Sequence, residues 1–367
     1  MPPASLPPPS AARTAGPADR GRFLLVTCQG GAEAELRRRQ QAILPDLEHG
    51  VWRRGLVTFR LPEGGDPPDD FCPDLFFARA VIRSLGQVAA ADSAGMVAAA
   101  RDRAGAAEWR NVHAWPRDPR ADVDATAVRR DLLAALGLPV DTAPCAAPGD
   151  LVLDCVIDEP ARWWIGWHRA ATPPSCWPGG IYPVPPPSAK VSRAWLKLDE
   201  AIAAFTIPLA AGERACELGA APGGSCQRLL EAGLRVVGID PAVVDPQVAA
   251  HPRFEHWRKR SRDVKLRDFR GFDWLVSDMN IDPASTLEAL GRIVAEGAAR
   301  PRGIVATLKL PTWSRAAALP EWLATFRAWG YAARVRQLST GGREVCCFAT
   351  RSRGGVSRRP ATRRPGR

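Results

Sequence analysis

Glu217-Leu218-Gly219-Ala220-Ala221-Pro222-Gly223-Gly224 closes a short apolar strand candidate, Arg214 to Leu218, and opens a helix candidate, Gly223 to Ala232. Its glycines are spaced G-x-x-x-G-G. Glycine lets a backbone turn sharply and pass close to a ligand. The spacing is not the dinucleotide pattern G-x-G-x-x-G, and no Lys-Ser/Thr pair follows as in a phosphate-binding P-loop. The next strand candidate, Arg235 to Asp240, ends on an acid 21 residues after Gly219. An acid there can accept hydrogen bonds from a ribose diol. A glycine-rich turn taken alone is equally a tight turn. Loop and acid together point to an adenosine-containing cofactor without a pyrophosphate.

The pattern around this loop alternates. Leu196 to Phe205 reads as helix, Phe272 to Asp278 as strand, Pro283 to Ala298 as helix, Gly303 to Leu310 as strand and Pro320 to Trp329 as helix. Arg253 to Trp257 is a third-strand candidate. Tyr331 to Leu338 and Arg343 to Thr350 flank Gly341-Gly342 as a hairpin. Alternating strands and helices predict an α/β domain with a parallel, doubly wound sheet, here ending in an antiparallel hairpin. Ligands on such sheets bind beyond the C-terminal strand ends. The region before it reads as a small α+β half. It has strands at Arg22 to Thr27, Gly55 to Arg60, Ile82 to Val88, Leu151 to Ile157 and Trp163 to Trp167. Helices are expected at Ala32 to Ile43, on both sides of the Ile82 strand within 71–110, and at Ala127 to Leu136. Seven prolines between Thr172 and Pro187 exclude a regular helix or a central strand, so a linker is expected at 172–191.

The chain has 367 residues, 46% hydrophobic and 24% charged, which suits two or three globular domains. No run of about 18 apolar residues exists, so no membrane span is expected. Six prolines before Ala18 argue against a transit helix, and residues 1–20 read as a disordered tail of a cytoplasmic protein. The net charge of +11 is concentrated. Seven arginines and no acid lie in 351–367, and without them the remainder carries +4. That tail is a phosphate contact or a solvated terminus. Nine cysteines without a C-x-x-C pair argue against both a zinc site and a disulfide framework, and no metal is expected. They read as small buried hydrophobes. Among 50 basic residues only five are lysines: Lys190, Lys197, Lys259, Lys265 and Lys309. Lysine can lose its proton when its pKa is depressed, whereas arginine cannot.

The segment Glu217–Gly224 resembles the first motif of the FtsJ-type S-adenosylmethionine-dependent RNA methyltransferases. That family carries a catalytic Lys-Asp-Lys-Glu set, and each member has a counterpart here in order. Lys197 in Ser192-Arg193-Ala194-Trp195-Leu196-Lys197-Leu198 resembles the first lysine. Asp278 in Val276-Ser277-Asp278-Met279 resembles the aspartate after the fourth strand. Lys309 in Leu308-Lys309-Leu310-Pro311 resembles the second lysine, and Glu344 in Gly342-Arg343-Glu344-Val345 the glutamate of the last hairpin. Similarity to the branch that methylates a cytidine 2′-hydroxyl of 23S rRNA runs on both sides of the linker. It includes Phe76-Phe77-Ala78-Arg79, Trp164-Ile165-Gly166-Trp167 and Trp177-Pro178-Gly179-Gly180.

The resemblance implies a Rossmann-like methyltransferase domain at 192–350. It also implies a ferredoxin-like region at 21–90 and a THUMP-like RNA-binding region at 91–171, with S-adenosylmethionine as cofactor. The implied partner is 23S rRNA or a ribosome assembly precursor, met by a monomer. The implied cofactor contacts are Ser192, Ala221, Pro222, Gly223, Gly224, Asp240, Asp263, for whose place Asp268 competes, and Asp278. Three features depart from the pattern. Glu217 stands where Asp is usual, Thr312-Trp313-Ser314 replaces a basic stretch, and the proline-rich head and arginine tail are additions.

Ribose methylation is an in-line displacement in which the hydroxyl must lose its proton, and Lys309 is the expected general base. Burial and the like charge of Lys197 would lower its pKa, while Asp278 and Glu344 would raise it. Each residue also has a plainer reading: Lys197 on a helix surface, Asp278 in a turn, Lys309 reaching for solvent, Glu344 paired with Arg343 or Arg336. The thirteen tryptophans offer base-stacking surfaces in principle, but Trp274 and Trp329 sit on apolar faces and read as core. Other readings are a 2′-O-methyltransferase of another RNA, a catalytically silent RNA-binding relative, and an NAD-dependent oxidoreductase. The missing G-x-G-x-x-G speaks against the last.

Overall fold

Runs such as Ala215–Leu218, Val236–Ile239 and Trp274–Ser277 are buried at every residue, as expected of strands covered on both faces. The computed structural model describes residues 22–65, 67–183 and 190–351. The head 1–20, part of the expected linker and the tail beyond Arg351 lie outside the described residues.

The C-terminal half contains β8 (Arg214–Leu218), β9 (Arg235–Ile239), β10 (Phe254–Trp257), β11 (Trp274–Ser277), β12 (Gly303–Lys309), β13 (Tyr331–Arg336) and β14 (Glu344–Arg351). They form one seven-stranded sheet in the order β10-β9-β8-β11-β12-β14-β13. All pairs are parallel except those of β14, which runs antiparallel between β12 and β13. The strand order reverses between β8 and β11. This is the switch point at which the C-terminal strand ends splay and leave a crevice. The helices are α4 (Arg193–Phe205), α5 (Gly224–Glu231), α6 (Pro246–Ala249), α7 (Pro283–Gly291) and α8 (Leu319–Ala328). The helix expected to run on to Ala298 stops at Gly291 and passes into a π-helical turn, Arg292–Glu296. Trp274 is 1% exposed and belongs to the core, as expected.

The N-terminal half contains β1 (Phe23–Cys28), β2 (Glu48–Arg53), β3 (Leu56–Arg60), β4 (Ala78–Ala89), β5 (Asn111–Pro116), β6 (Leu151–Glu159) and β7 (Arg162–Arg169). Its helices are α1 (Glu33–Ile43), α2 (Ser93–Ala104) and α3 (Ala125–Ala135). One sheet, ordered β2-β3-β1-β4-β7-β6-β5, runs unbroken across residue 90. Three details differ from expectation. Strand β2 is a polar, largely exposed edge strand without the alternation that marks strands in sequence. Strand β5 carries Asn111 and His113 among its buried residues and reads as irregular. No helix lies in 71–77, directly before β4: Pro73 and the residue before it disfavour helical dihedrals, and Leu75, Phe76 and Phe77 are buried as packing anchors in extended and turn backbone.

The two halves share a core. One apolar cluster includes Leu36, Phe76 and Phe77 together with Trp322, Phe326 and Tyr331. The Gln337 amide N–H donates to the Phe76 carbonyl at 2.8 Å, and Phe77 meets Trp313 edge-on at 6.0 Å. Residues 172–183 are not a free linker. They form two 3₁₀ turns, Pro173–Cys176 and Pro178–Gly180, with Trp177 buried. A Cβ at Gly180, whose φ is +66°, would lie 2.0 Å from the Arg79 carbonyl oxygen, so only glycine lets this turn approach β4. All nine cysteines are free thiols, and seven are buried.

Candidate functional site

The site begins where β8 gives way to its glycine loop. Gly219 has φ +80°, and a Cβ there would lie 2.8 Å from Met279 Cγ, so the loop can pass the β11 end only as glycine. Gly224 opens α5 against the start of α4. A Cβ there would sit 2.2 Å from Ser192 Oγ. Ser192 caps α4 by accepting from the Ala194 amide at 3.3 Å. That cap and contact fix the helix that carries Lys197.

Between the ends of β8, β9 and β11 lies a cleft of about 680 Å³, a volume in the range of small-molecule sites. Gly219, Ala221, Asp240 and Asp278 line it. Asp240 is held by the loop it faces: Oδ2 accepts from the Ala221 amide at 3.2 Å and Oδ1 from the Ala242 amide at 2.8 Å. Ser192, Pro222, Gly223 and Gly224 are not among the residues that line it. Asp263 does not line the cleft. It lies at the end of a 3₁₀ turn with its side chain 57% exposed, and its neighbours Arg260, Ser261 and Arg262 line the cleft instead. Residue order could place this segment but not tell which side of the short turn faces inward.

Beside the cleft four charged side chains close into a ring. Lys197 Nζ lies 2.5 Å from Asp278 Oδ2 and 3.3 Å from Glu344 Oε1. Lys309 Nζ lies 3.2 Å from Asp278 Oδ1 and 2.5 Å from Glu344 Oε2. Each lysine bridges both carboxylates, so the charges alternate and sum to zero. The register explains the ring. Lys309 is directly opposite Glu344 across the antiparallel β12–β14 pair, and Asp278 follows the end of β11, the other neighbour of β12. The four side chains are 11–21% exposed. Lys309, the most exposed, also lines a shallow depression of about 360 Å³ with Asn280, Ile281 and Arg343. Asn280 and Ile281 line both depression and cleft, so the two spaces meet beside the ring.

The charges tune one another. Burial pulls the Lys309 pKa down, but Asp278 and Glu344 outweigh it and leave the group above the ordinary lysine value. Burial pushes Glu344 up, but Lys309 and Lys197 outweigh it and leave the carboxyl below its usual range. Glu217, where the loop departs from the usual Asp, does not line the cleft. It is 1% exposed, and Cys226 Sγ–H donates to Oε2 at 2.8 Å. Burial pushes its pKa up to about 8 against hydrogen bonds from Cys226 and Ser225, and the nearby Asp278 charge adds to the rise. A protonated Glu217 leaves the ring its zero net charge.

Glu200, three residues after Lys197, was not singled out by sequence. Its buried carboxylate accepts from the Ser339 and Thr340 amides at 2.7 and 2.8 Å and from the Thr340 hydroxyl. It thereby ties α4 to the loop preceding Glu344. A helical i,i+3 acid next to Lys197 was the available signal. Asn280 and Ile281 carried only their adjacency to Asp278.

Residues 190–304 match the FtsJ-like methyltransferase family. The chain is 35% identical over 187 residues to Ribosomal RNA large subunit methyltransferase M of Laribacter hongkongensis, covering 48% of this chain and 52% of that protein. It is 34% identical over 200 residues to the protein of that name from Thauera aminoaromatica, covering 51% and 54%. The chain thus spans about half the length of the curated relatives it matches. A solved structure described as a putative ribosomal RNA methyltransferase from Plasmodium falciparum is 15% identical, with a TM-score of 0.35, covering 44% of this chain and 97% of that one.

Proposed function

We propose, from the FtsJ-like methyltransferase domain carried by residues 190–304, that the chain methylates a ribose 2′-hydroxyl of RNA, a cytidine of 23S rRNA or its assembly precursor, with Lys309 as general base. The observation that carries this reading is the neutral ring of Lys197, Asp278, Lys309 and Glu344 beside a cofactor-sized cleft.

The residues fit S-adenosylmethionine. A glycine turn admits close backbone approach, the cleft has the volume, and the acid ending β9 faces it. When bound, the cofactor supplies a methyl group on a positively charged sulfur. Asp240 would accept hydrogen bonds from the cofactor ribose, and the turn at Gly219 would let the loop backbone pass close to its amino-acid part. The RNA ribose enters by the depression lined by Lys309 and Asn280. Lys309 rests as an ammonium donating to Asp278 and Glu344, so it first releases a proton to solvent through its exposed side. The neutral amine then takes the 2′-hydroxyl proton as the oxygen attacks. The returning positive charge meets two carboxylates already in place, which is preorganised stabilisation. The cost is a small neutral fraction, roughly one in 10³ or less at pH 7 for a lysine above its ordinary value. Lys197 keeps the carboxylates oriented and compensated throughout.

Residues 21–90 and 91–171 serve, in this reading, as ferredoxin-like and THUMP-like regions that grip RNA, with 172–191 joining them to the methyltransferase domain. The protein acts as a cytoplasmic monomer. Among the described residues no helix is long and apolar enough to cross a membrane.

The test is transfer of a labelled methyl group from S-adenosylmethionine to 23S rRNA, followed by alkaline hydrolysis. A methylated 2′-oxygen cannot attack its own phosphodiester, so the label should appear in alkali-resistant dinucleotides. Label released in mononucleotides would place the methyl on a base and overturn the ribose assignment.

A further inference from the structure

A second cavity, of about 480 Å³, lies between the two halves. His113 of β5, Asp154 of β6 and His168 of β7 line it. His113 and Asp154 are direct partners in the parallel β5–β6 ladder, and His168 lies diagonally across from Asp154 on β7. Their candidate ligand atoms fall within 4.8 Å of one another. We propose that His113, Asp154 and His168 bind one divalent transition-metal ion of the zinc class, clasping β5, β6 and β7 to the turn that follows them.

Hydrogen-bond accounting carries the proposal. His168 Nε2 faces the Ser175 carbonyl at 2.8 Å, and a carbonyl only accepts, so Nε2 carries a proton. His168 Nδ1 faces Asp154 Oδ2 at 2.5 Å, another acceptor, so a positive centre belongs between them. A second ring proton would serve that pair alone. It would leave both His113 ring nitrogens and Asp154 Oδ1 without a hydrogen-bonding partner among the described residues. His113 is 0% and Asp154 1% exposed, where unpaired polar atoms are costly. A metal ion ligated by His168 Nδ1, the Asp154 carboxylate and one His113 nitrogen gives each of the three residues a partner and reduces the unpaired ring nitrogens of His113 from two to one. His113 Nδ1 is already 3.9 Å from Asp154 Oδ1.

The donor chemistry is that of zinc: two imidazoles and one carboxylate, with a further position open to the cavity. Bonds of about 2.0–2.1 Å to two ligands at a tetrahedral angle set those ligands about 3.3 Å apart. His168 and Asp154 would therefore separate by less than an ångström. The His168 Nε2–H bond to Ser175 is the outer hydrogen bond that fixes ring orientation in metal sites. It also connects the site to the Pro173–Cys176 turn. The cavity wall is close to charge balance, with five arginines and four aspartates, so a dication does not meet a one-sided positive field. Sequence gave no sign of this site, because its members stand 41 and 14 residues apart on three strands, and the expectation of no metal rested on cysteine spacing.

The test uses the full chain, stripped by chelator and titrated with Co²⁺ and Zn²⁺. One Co²⁺ per chain should bind with visible ligand-field bands and no sulfur-to-metal charge transfer. X-ray absorption of the zinc form should show nitrogen and oxygen donors with imidazole scattering. Zinc should raise the melting temperature of the wild type. His113→Gln should weaken binding at least about 100-fold. No stoichiometric binding, sulfur among the donors, or unchanged affinity in folded His113→Gln would overturn the site. If that variant does not fold, the donor set seen in the wild type decides alone.

Discussion

The C-terminal sheet carries its functional charges at strand ends, and the N-terminal sheet carries its buried charges on a face. Lys309, Asp278 and Glu344 sit where β12 and β11 finish and β14 begins, partly exposed and opposed in sign. His113, Asp154 and His168 sit within adjacent strands, almost fully buried. A charge at a strand end keeps a route to solvent and to a ligand. A charge on a covered face has only its neighbours, so it must be matched where it stands. The first arrangement suits proton transfer, and the second suits holding strands together.

The contrast is sharpest when each sheet loses its central carboxylate. Asp278→Ala removes an oxygen from both lysines, so single-turnover methyl transfer should fall about 10²-fold or more through lost alignment, with the fold retained. Asp154→Ala removes the buried carboxylate that balances the positive centre at His168 Nδ1, which should cost about 3–5 kcal/mol of stability. Turnover per folded molecule should hardly change. Thermal melting and active-site-normalised rates check both. If folded Asp154→Ala also loses turnover, the division between the sheets fails.

Glu217 offers an intermediate case, a buried acid near Asp278 of the four-residue ring. Its folded pKa, about 8, lies above the unfolded value. Its contribution to stability is therefore complete below the unfolded pKa and lost as pH rises through about 8. Glu217→Gln should flatten the decline of stability between those limits, an effect on the order of a few kcal/mol at pH 9. Denaturant melts at pH 5 and pH 9 measure it. A wild-type stability that does not decline over that interval would show Glu217 to be ionised in the fold.

The smallest effect is expected at the cleft. Asp240→Ala should weaken S-adenosylmethionine binding about tenfold or more, the loss of hydrogen bonds worth roughly 1.5–3 kcal/mol. Calorimetric titration reads it, and an unchanged dissociation constant would remove Asp240 from the site.

The same contrast explains what could be read in advance. In the C-terminal half, apolar runs broken by single charged residues made strand ends visible, and three of those residues, Asp278, Lys309 and Glu344, meet Lys197 of α4 in space. The glycine loop was legible because only glycine satisfies both a φ of +80° at residue 219 and contact with Met279. Asp263 lies on a short turn whose direction is set by packing rather than by pattern. In the N-terminal half, polar β2 and histidine-bearing β5 lacked the alternation that marks strands, since β2 is exposed and β5 is buried with polar groups of its own. Proline count pointed to a linker at 172–191, yet Trp177 is buried, and Gly179 and Gly180 lie against Trp115 of β5 and Arg79 of β4. Proline excludes regular structure, not burial.

The central claim is that Lys309 removes the 2′-hydroxyl proton. The direct measurement is the single-turnover rate of methyl transfer to 23S rRNA at saturating cofactor, followed from pH 6 to 9 in wild type and Lys309→Arg. Because Lys309 is held above the ordinary lysine value, the wild-type rate should rise about tenfold per pH unit across that range as the neutral amine becomes more abundant. Arginine keeps the charge but cannot give up its proton, so the variant should lose about 10²–10⁴-fold and most of the slope. A folded Lys309→Arg protein with near wild-type rate and the same pH profile would contradict the account.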